Sequence, residues 1–118
     1  MITQLDTSIS ALSAFSKKMR VTANNVANVN TDGFKKSRTT LEEAPFGDGV
    51  RARVDVVDTP GYVKLVEKDD ALQEVETSNV DLAEELPETM LTKAGYKANL
   101  KIIQTLDEMI GSLLDTIG

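Results

Sequence analysis

Ala23-Asn24-Asn25-Val26-Ala27-Asn28-Val29-Asn30-Thr31-Asp32-Gly33-Phe34-Lys35 is the stretch on which the reading of the fold turns. It places asparagines at 24, 25, 28 and 30, at the end of an apolar pattern of helical spacing. Asparagine competes for backbone groups inside a helix and tolerates the left-handed conformation where a helix stops. Asp32-Gly33 then supplies a turn. A helix is therefore expected to enter the stretch and the chain to leave it in a new direction. Clustered amides also offer donors and acceptors to a neighbouring helix or chain.

Upstream, Leu5, Ile9, Leu12, Ser16, Met19, Ala23, Val26 and Asn30 follow alternating steps of four and three, a heptad seam uninterrupted by Gly or Pro. A helix from about Thr3, with Asp6 completing a capping-box-like start, to Asn30 would be roughly 40 Å long. Downstream, Lys35, Lys36 and Arg38 read as a solvated basic cluster, and Thr39–Leu41 as a short strand. Val50, Ala52, Val54 and Val56 alternate with polar residues at period two. Thr59-Pro60-Gly61-Tyr62 fits a type II turn, so Val50–Val56 and Tyr62–Glu67 are expected to form a central β-hairpin. Lys68-Asp69-Asp70 reads as a turn, and Gln73–Thr77 as a possible third strand.

The last segment starts near Ser78, with Asp81 as its capping-box partner. Its distal stripe is Ile103, Leu106, Ile110, Leu113 and Ile117, widened by Ile102, Met109 and Leu114. Pro87 has no N–H for the carbonyl of Ala83, which predicts a kink or break over 83–87. Tyr96 and Asn99 lie three apart and share a helix face.

Two sets of residues carry a resemblance. Ala11-Leu12 through Met19, Ala23–Asn28 and Asn30–Lys35 are similar to the amino-terminal signature of bacterial flagellar rod and hook proteins. Ser78–Glu85, Gly95–Asn99 and Thr105–Met109 resemble the carboxy-terminal signature of the same family. The two fall in the expected order about a short centre, where rod and hook relatives often carry a much larger domain. The resemblance implies a structural subunit of the basal-body rod or the adjoining axial structure. Such a subunit assembles with itself and with other rod and hook axial proteins in the periplasm-spanning rod. It also implies export, without a cleaved signal peptide, through the flagellar type III apparatus. It further implies that Tyr96 and Asn99 meet Asn24, Asn25 or Asn28, within a chain or across a subunit contact.

Composition bounds the alternatives. The 118 residues carry a net charge of −6, 4% aromatics, no Trp, no Cys and no His. The charge is asymmetric: residues 1–53 stand at +3 and residues 54–118 at −9. That argues against nucleic acid as a partner and predicts a short-range attraction between the two halves. Without His or Cys, nucleophilic dyads and zinc or copper sites are not expected. Carboxylates at 69–70, 84–85, 88 and 107–108 show no calcium-loop spacing. No catalytic residue, cofactor or metal is expected. No apolar run approaches the ~20 residues of a membrane span, so direct membrane insertion is not expected, and no cleaved secretory signal is visible.

The expected fold is mainly α with a small β element, two long terminal helices forming an antiparallel hairpin or coiled coil around a central β-hairpin. The divisions are residues 1–34, 35–77 and 78–118, together one domain. The expected assembly interface comprises Leu5, Ile9, Leu12, Met19, Asn24, Asn25, Val26, Asn28, Asn30, Tyr96, Asn99, Ile103, Leu106, Ile110, Leu113 and Ile117. The other reading is a soluble rod-like adaptor that regulates export or assembly without polymerising.

Overall fold

The structure, a computed structural model, describes residues 2–118. Helix α1 (Ile2–Ala27) leads to strands β1 (Ser37–Glu43) and β2 (Val50–Val56), then β3 (Val63–Lys68) and β4 (Ala71–Glu76), and finally helix α2 (Leu82–Ile117). The molecule measures 81 × 26 × 19 Å with a radius of gyration of 20.9 Å. A compact domain of this length would have about 13 Å, so the shape is that of a rod.

The helices lie side by side. Phe15 packs over Gly95, Lys18 pairs with Glu88 and Asn25 reaches Glu85, so the contacts run in opposite chain order. At this register the start of α1 falls opposite about Glu108, leaving the last turns of α2, roughly 15 Å, unaccompanied. Leu106 is buried before that point, whereas Leu113, Leu114 and Ile117 beyond it are exposed.

The central region contains two hairpins where the sequence predicts one. β2 pairs with β1, from Ser37↔Val56 to Glu43↔Val50, and β3 pairs with β4, from Val63↔Glu76 to Lys68↔Ala71. The expected pairing of Val50–Val56 with the run after Tyr62 does not occur. Gly61 is absent from the glycines with positive φ, which a type II turn would require there. Its place is fixed by crowding, since a Cβ would lie 2.0 Å from the Thr77 carbonyl oxygen. The hairpin-making turn is Asp69-Asp70, both left-handed at φ 53° and 61°. This two-residue geometry suits the right-handed twist of paired strands.

The β1–β2 hairpin lies along α1. A Cβ on Gly49 would meet the Ser10 hydroxyl oxygen at 2.3 Å, the Lys17 ammonium reaches the Ala52 carbonyl, and Asn25 holds Ser37. Seven residues of strand span about 23 Å, and Ser10 to Asn25 on α1 span about 22 Å. The match lets the hairpin, both of whose strands touch α1, follow the helix from turn to base. Helix and hairpin approach closely because the most buried side chains of α1 are small or polar: Ser8, Ala11, Ala14, Thr22 and Asn25. That face is offset from the expected heptad seam. Leu5, Leu12, Met19 and Val26 are half-buried, and Ile9, Ser16, Ala23 and Asn30 are exposed.

Helix α2 runs unbroken through Pro87, so the break allowed by the sequence does not occur. Pro87 is its sixth residue, and both it and Ala83, whose carbonyl loses a partner, are exposed. Water can take that carbonyl, which lowers the cost of the missing bond. The cap is Asp81, whose carboxylate accepts from the Ala83 N–H at 2.9 Å, with Glu84 and Glu85 in the first turn. Ser78 is buried and accepts from the Val80 N–H, so it lies outside the helix it was expected to cap.

Two glycines of α2 make opposite predictions. A Cβ at Gly95 would sit 2.6 Å from the Phe15 ring, while one at Gly111 would meet nothing. Gly111→Ala is expected to raise stability by about 1 kcal/mol through helix propensity. Gly95→Ala is expected to lower it, because overpacking costs about 1–3 kcal/mol, and Phe15→Leu should restore it. Urea melts of the four proteins check this.

Candidate functional site: the asparagine junction

The amino-terminal and carboxy-terminal signatures meet where α1 ends, β1 begins and α2 starts. Asn25, only 2% exposed, makes the central contact. Its amide donates to the Ser37 carbonyl at 2.8 Å and accepts from the Ser37 N–H at 3.0 Å. One side chain thus satisfies both backbone groups of a strand-edge residue, as a neighbouring strand would. The same amide also donates to Glu85 of α2 at 3.4 Å, and Glu85 is itself buried.

Asn79 does the matching work from the other side. Its carboxamide oxygen accepts from the Lys36 N–H at 2.6 Å. Its amide donates to the Val57 and Thr59 carbonyls at 2.8 and 2.9 Å, and its backbone N–H to Phe34. Adjacent residues, Lys36 and Ser37, are therefore held by two asparagines 54 positions apart in the chain. Glu76 adds a third tie, accepting from the Lys35 ammonium and, at 3.0 Å, from the Gly61 N–H.

The remaining amides of the cluster act locally. Asn28 donates to the Asn24 carbonyl at 2.8 Å and accepts from the Thr31 hydroxyl, closing the helix exit. Gly33 takes φ +73° in the expected turn and donates to the Glu76 carbonyl at 2.9 Å. Asn24 and Asn30 are exposed.

The expected basic cluster is not simply solvated. Lys35 and Lys36 are half-buried and paired, with Glu76 and with Glu84 at 2.7 Å. With Lys18–Glu88 at 2.9 Å, these pairs join the basic first half to the acidic second half. Their carboxylates stay in water, where an ion pair contributes little, so the pairs select register more than they stabilise. Beside them lies a cleft of about 460 Å³ lined by Lys18, Asn25, Lys36, Arg38, Glu84, Glu85 and Glu88. Among the described residues no group of acids is placed to hold a metal ion, and no helix is long and apolar enough to cross a membrane.

Tyr96 and Asn99 do not meet the cluster within this chain. Asn25 docks at Glu85, and Asn99 lies about 20 Å further along α2, donating to the Gly95 carbonyl of its own helix. Tyr96 instead lines an apolar groove with Phe15, Met19 and Leu100. Ile103 and Ile110 are half-buried. The roles of Asn79, Glu76 and Glu85 were missed in the sequence, although Asn79 and Glu85 sit inside the carboxy-terminal signature.

The carboxylates of Glu76 and Glu84 titrate below their ordinary value of 4.5, held there by hydrogen bonds from Lys35 and Lys36 respectively. A depressed folded-state pKa contributes stability present above the unfolded value and lost as pH falls through the folded one. Stability is therefore expected to hold from neutral pH to about 4.5 and then to fall, with a smaller loss in Glu76→Gln; urea midpoints across pH 3–7 check it. Asn25→Asp keeps the acceptor for the Ser37 N–H but loses the donor and faces Glu85. It is expected to cost about 1–3 kcal/mol, and more than Asn24→Asp in the same melts.

Comparison with known proteins adds the following. Residues 5–35 match the family model described as flagella basal body rod protein, and residues 72–116 that described as flagellar basal body rod FlgEFG protein C-terminal. One relative is the flagellar basal-body rod protein FlgG of Bacillus subtilis (strain 168), 49% identical over 43 residues. That match covers 36% of this chain and 16% of the relative.

Proposed function

Since the chain belongs to the flagellar basal-body rod and hook family, we propose that it is a self-assembling structural subunit of the axial rod. Residues 1–34 and 78–118 act as the paired rod segments, an antiparallel helical hairpin packed coiled-coil fashion against those of neighbouring subunits. Residues 35–77 act as the connector. Contacts are heterologous, head to tail, so the array grows as a tube. The subunit reaches the periplasm-spanning rod through the flagellar export apparatus, and its neighbours are further copies and other axial proteins.

The observation that carries this reading is the distribution of apolar surface. Only Ala11, Ala14 and Leu106 are buried hydrophobic residues among those described. Ile9, Leu82, Leu86, Met90, Leu91, Leu100, Ile102, Met109, Leu113, Leu114 and Ile117 all stand exposed on the two helices. So many large apolar side chains exposed along two helices are unusual in a monomer, whereas a subunit of a packed tube would bury them. The asparagine junction fixes the angle at which chain leaves helix, and so the form of the repeating unit.

Ile9 is 51% and Leu113 49% exposed in the lone chain, so a change at either should spare the monomer. Ile9→Asp and Leu113→Asp are expected to shift the monomer melt by no more than about 0.5 kcal/mol. Both should abolish association, because an unpaired charge in a dry interface costs several kcal/mol. Sedimentation velocity over a range of concentrations reads this out. Unchanged association would show that these faces are not the packing faces. A wild-type chain monomeric at all concentrations would favour the soluble adaptor.

A further inference from the structure

The β3–β4 hairpin stands apart from the rest of the molecule. Beyond its base, where Glu76 meets Gly33, Lys35 and Gly61 and Lys64 meets Asp32, its contacts are those between its own two strands, and Val63 to Ala71 is exposed without interruption. An isolated two-stranded hairpin is marginal in water, so this one needs a surface to lie on.

Cross-strand partners share a face. With Val63 opposite Glu76, Leu65 opposite Glu74 and Glu67 opposite Leu72, one face presents Val63, Leu65 and Leu72 among glutamates. Val63, Leu65 and Leu72 are 61%, 64% and 70% exposed. Glu76 is held by Lys35, but Glu67 and Glu74 enter no ion pair among the described residues. The opposite face carries Lys64, which is tied to Asp32 at 2.9 Å. Val66 on that opposite face is only 37% exposed, so the more open face of the hairpin is the apolar and acidic one.

The complementary surface lies between the helices. A groove of about 470 Å³ is lined by Phe15, Met19, Tyr96 and Leu100, with Arg20, Lys93 and Lys97 on it and no carboxylate in its lining. None of these three cations enters an ion pair among the described residues. On α2 the groove runs from Thr92 to Leu100, about 12 Å. The apolar patch, from Val63 to Glu67 along β3, is about 13 Å long. The lengths agree and the charges are opposite.

We propose that the β3–β4 hairpin of one subunit docks, by its Val63–Leu65–Leu72 face, into the Phe15–Met19–Tyr96–Leu100 groove of a second copy. Glu67 and Glu74 then lie against Arg20, Lys93 and Lys97. The proposal rests on the reading of the chain as an assembling subunit and names one of its contacts. It is heterologous, hairpin to groove, so each copy offers both halves and the contact propagates without closing a dimer. Buried apolar side chains would supply affinity and the charges would select register.

The chain has no cysteine, so engineered thiols report cleanly. Leu65→Cys and Tyr96→Cys chains, mixed under assembling conditions and oxidised, should give mainly the 65–96 product. A dominant 65–65 product would overturn the proposal in favour of hairpin pairing with hairpin. Placed together in one chain, the two thiols should give a ladder of multimers, and a monomeric intramolecular product would overturn it too. Reversing the groove (Lys93→Glu with Lys97→Glu) or the hairpin (Glu67→Lys with Glu74→Lys) should each raise the concentration needed for assembly by about tenfold or more. All four changes in one chain should restore it. Wild-type assembly with no 65–96 product and no effect of the reversals would overturn the docking and leave the rod-subunit reading standing. A wild type that never associates would overturn both.

Discussion

The structure depends on a two-way hydrogen bond between the Asn25 side chain and the backbone of Ser37. A strand leaving a helix exposes an edge of N–H and C=O groups, and burying them unpaired costs about 1–3 kcal/mol each. Asn25 removes that cost with one amide, and Asn79 takes the Lys36 N–H while donating to the Val57 and Thr59 carbonyls. Primary amides suit the task because each carries a donor and an acceptor, which carboxylates and ammonium groups do not. The two asparagines come from the two signatures at opposite ends of the chain. Their meeting turns separate motifs into one unit and fixes where β1–β2 lies along α1.

How much of this was legible in the sequence follows from the range of the interactions. The local features were readable. Apolar periodicity announced both helices, Asp32-Gly33 the exit turn, and Asp69-Asp70 a turn between strands. Features set by tertiary contact were not. Thr59-Pro60-Gly61 has the composition of a type II turn, yet Gly61 is required by the approach of the Thr77 backbone, a constraint invisible along the chain. The partner of β2 was misassigned for the same reason: alternation marks a strand but does not say which edge it joins.

Helix faces were read with an analogous bias. Hydrophobic spacing pointed to Leu5, Ile9, Leu12, Met19 and Val26, whereas the side chains most buried in the single chain are Ser8, Ala11, Ala14, Thr22 and Asn25. Small residues allow the close approach of hairpin and helix, and no hydrophobicity scale ranks them first. The apolar stripe that was legible is half-buried beside them, with Ile9 alone of its five members exposed. Pro87 is the converse case: a residue of strong local preference sits in the first turns of α2, where an exposed carbonyl softens its effect.

The chain is a unit with a well-specified polar junction and too small an apolar core to order the far turns of its long helices alone. Packing supplies most helix stability, and the last turns of α2 have no neighbour in the single chain. The most direct test is helicity, by circular dichroism, as a function of protein concentration across the onset of association. Helicity in dilute solution is expected to lie below that of the structure, because the far turns of α2 fray without a neighbour, and to rise as the chain assembles. Helicity that already matches the structure in dilute solution and does not change with concentration would contradict this.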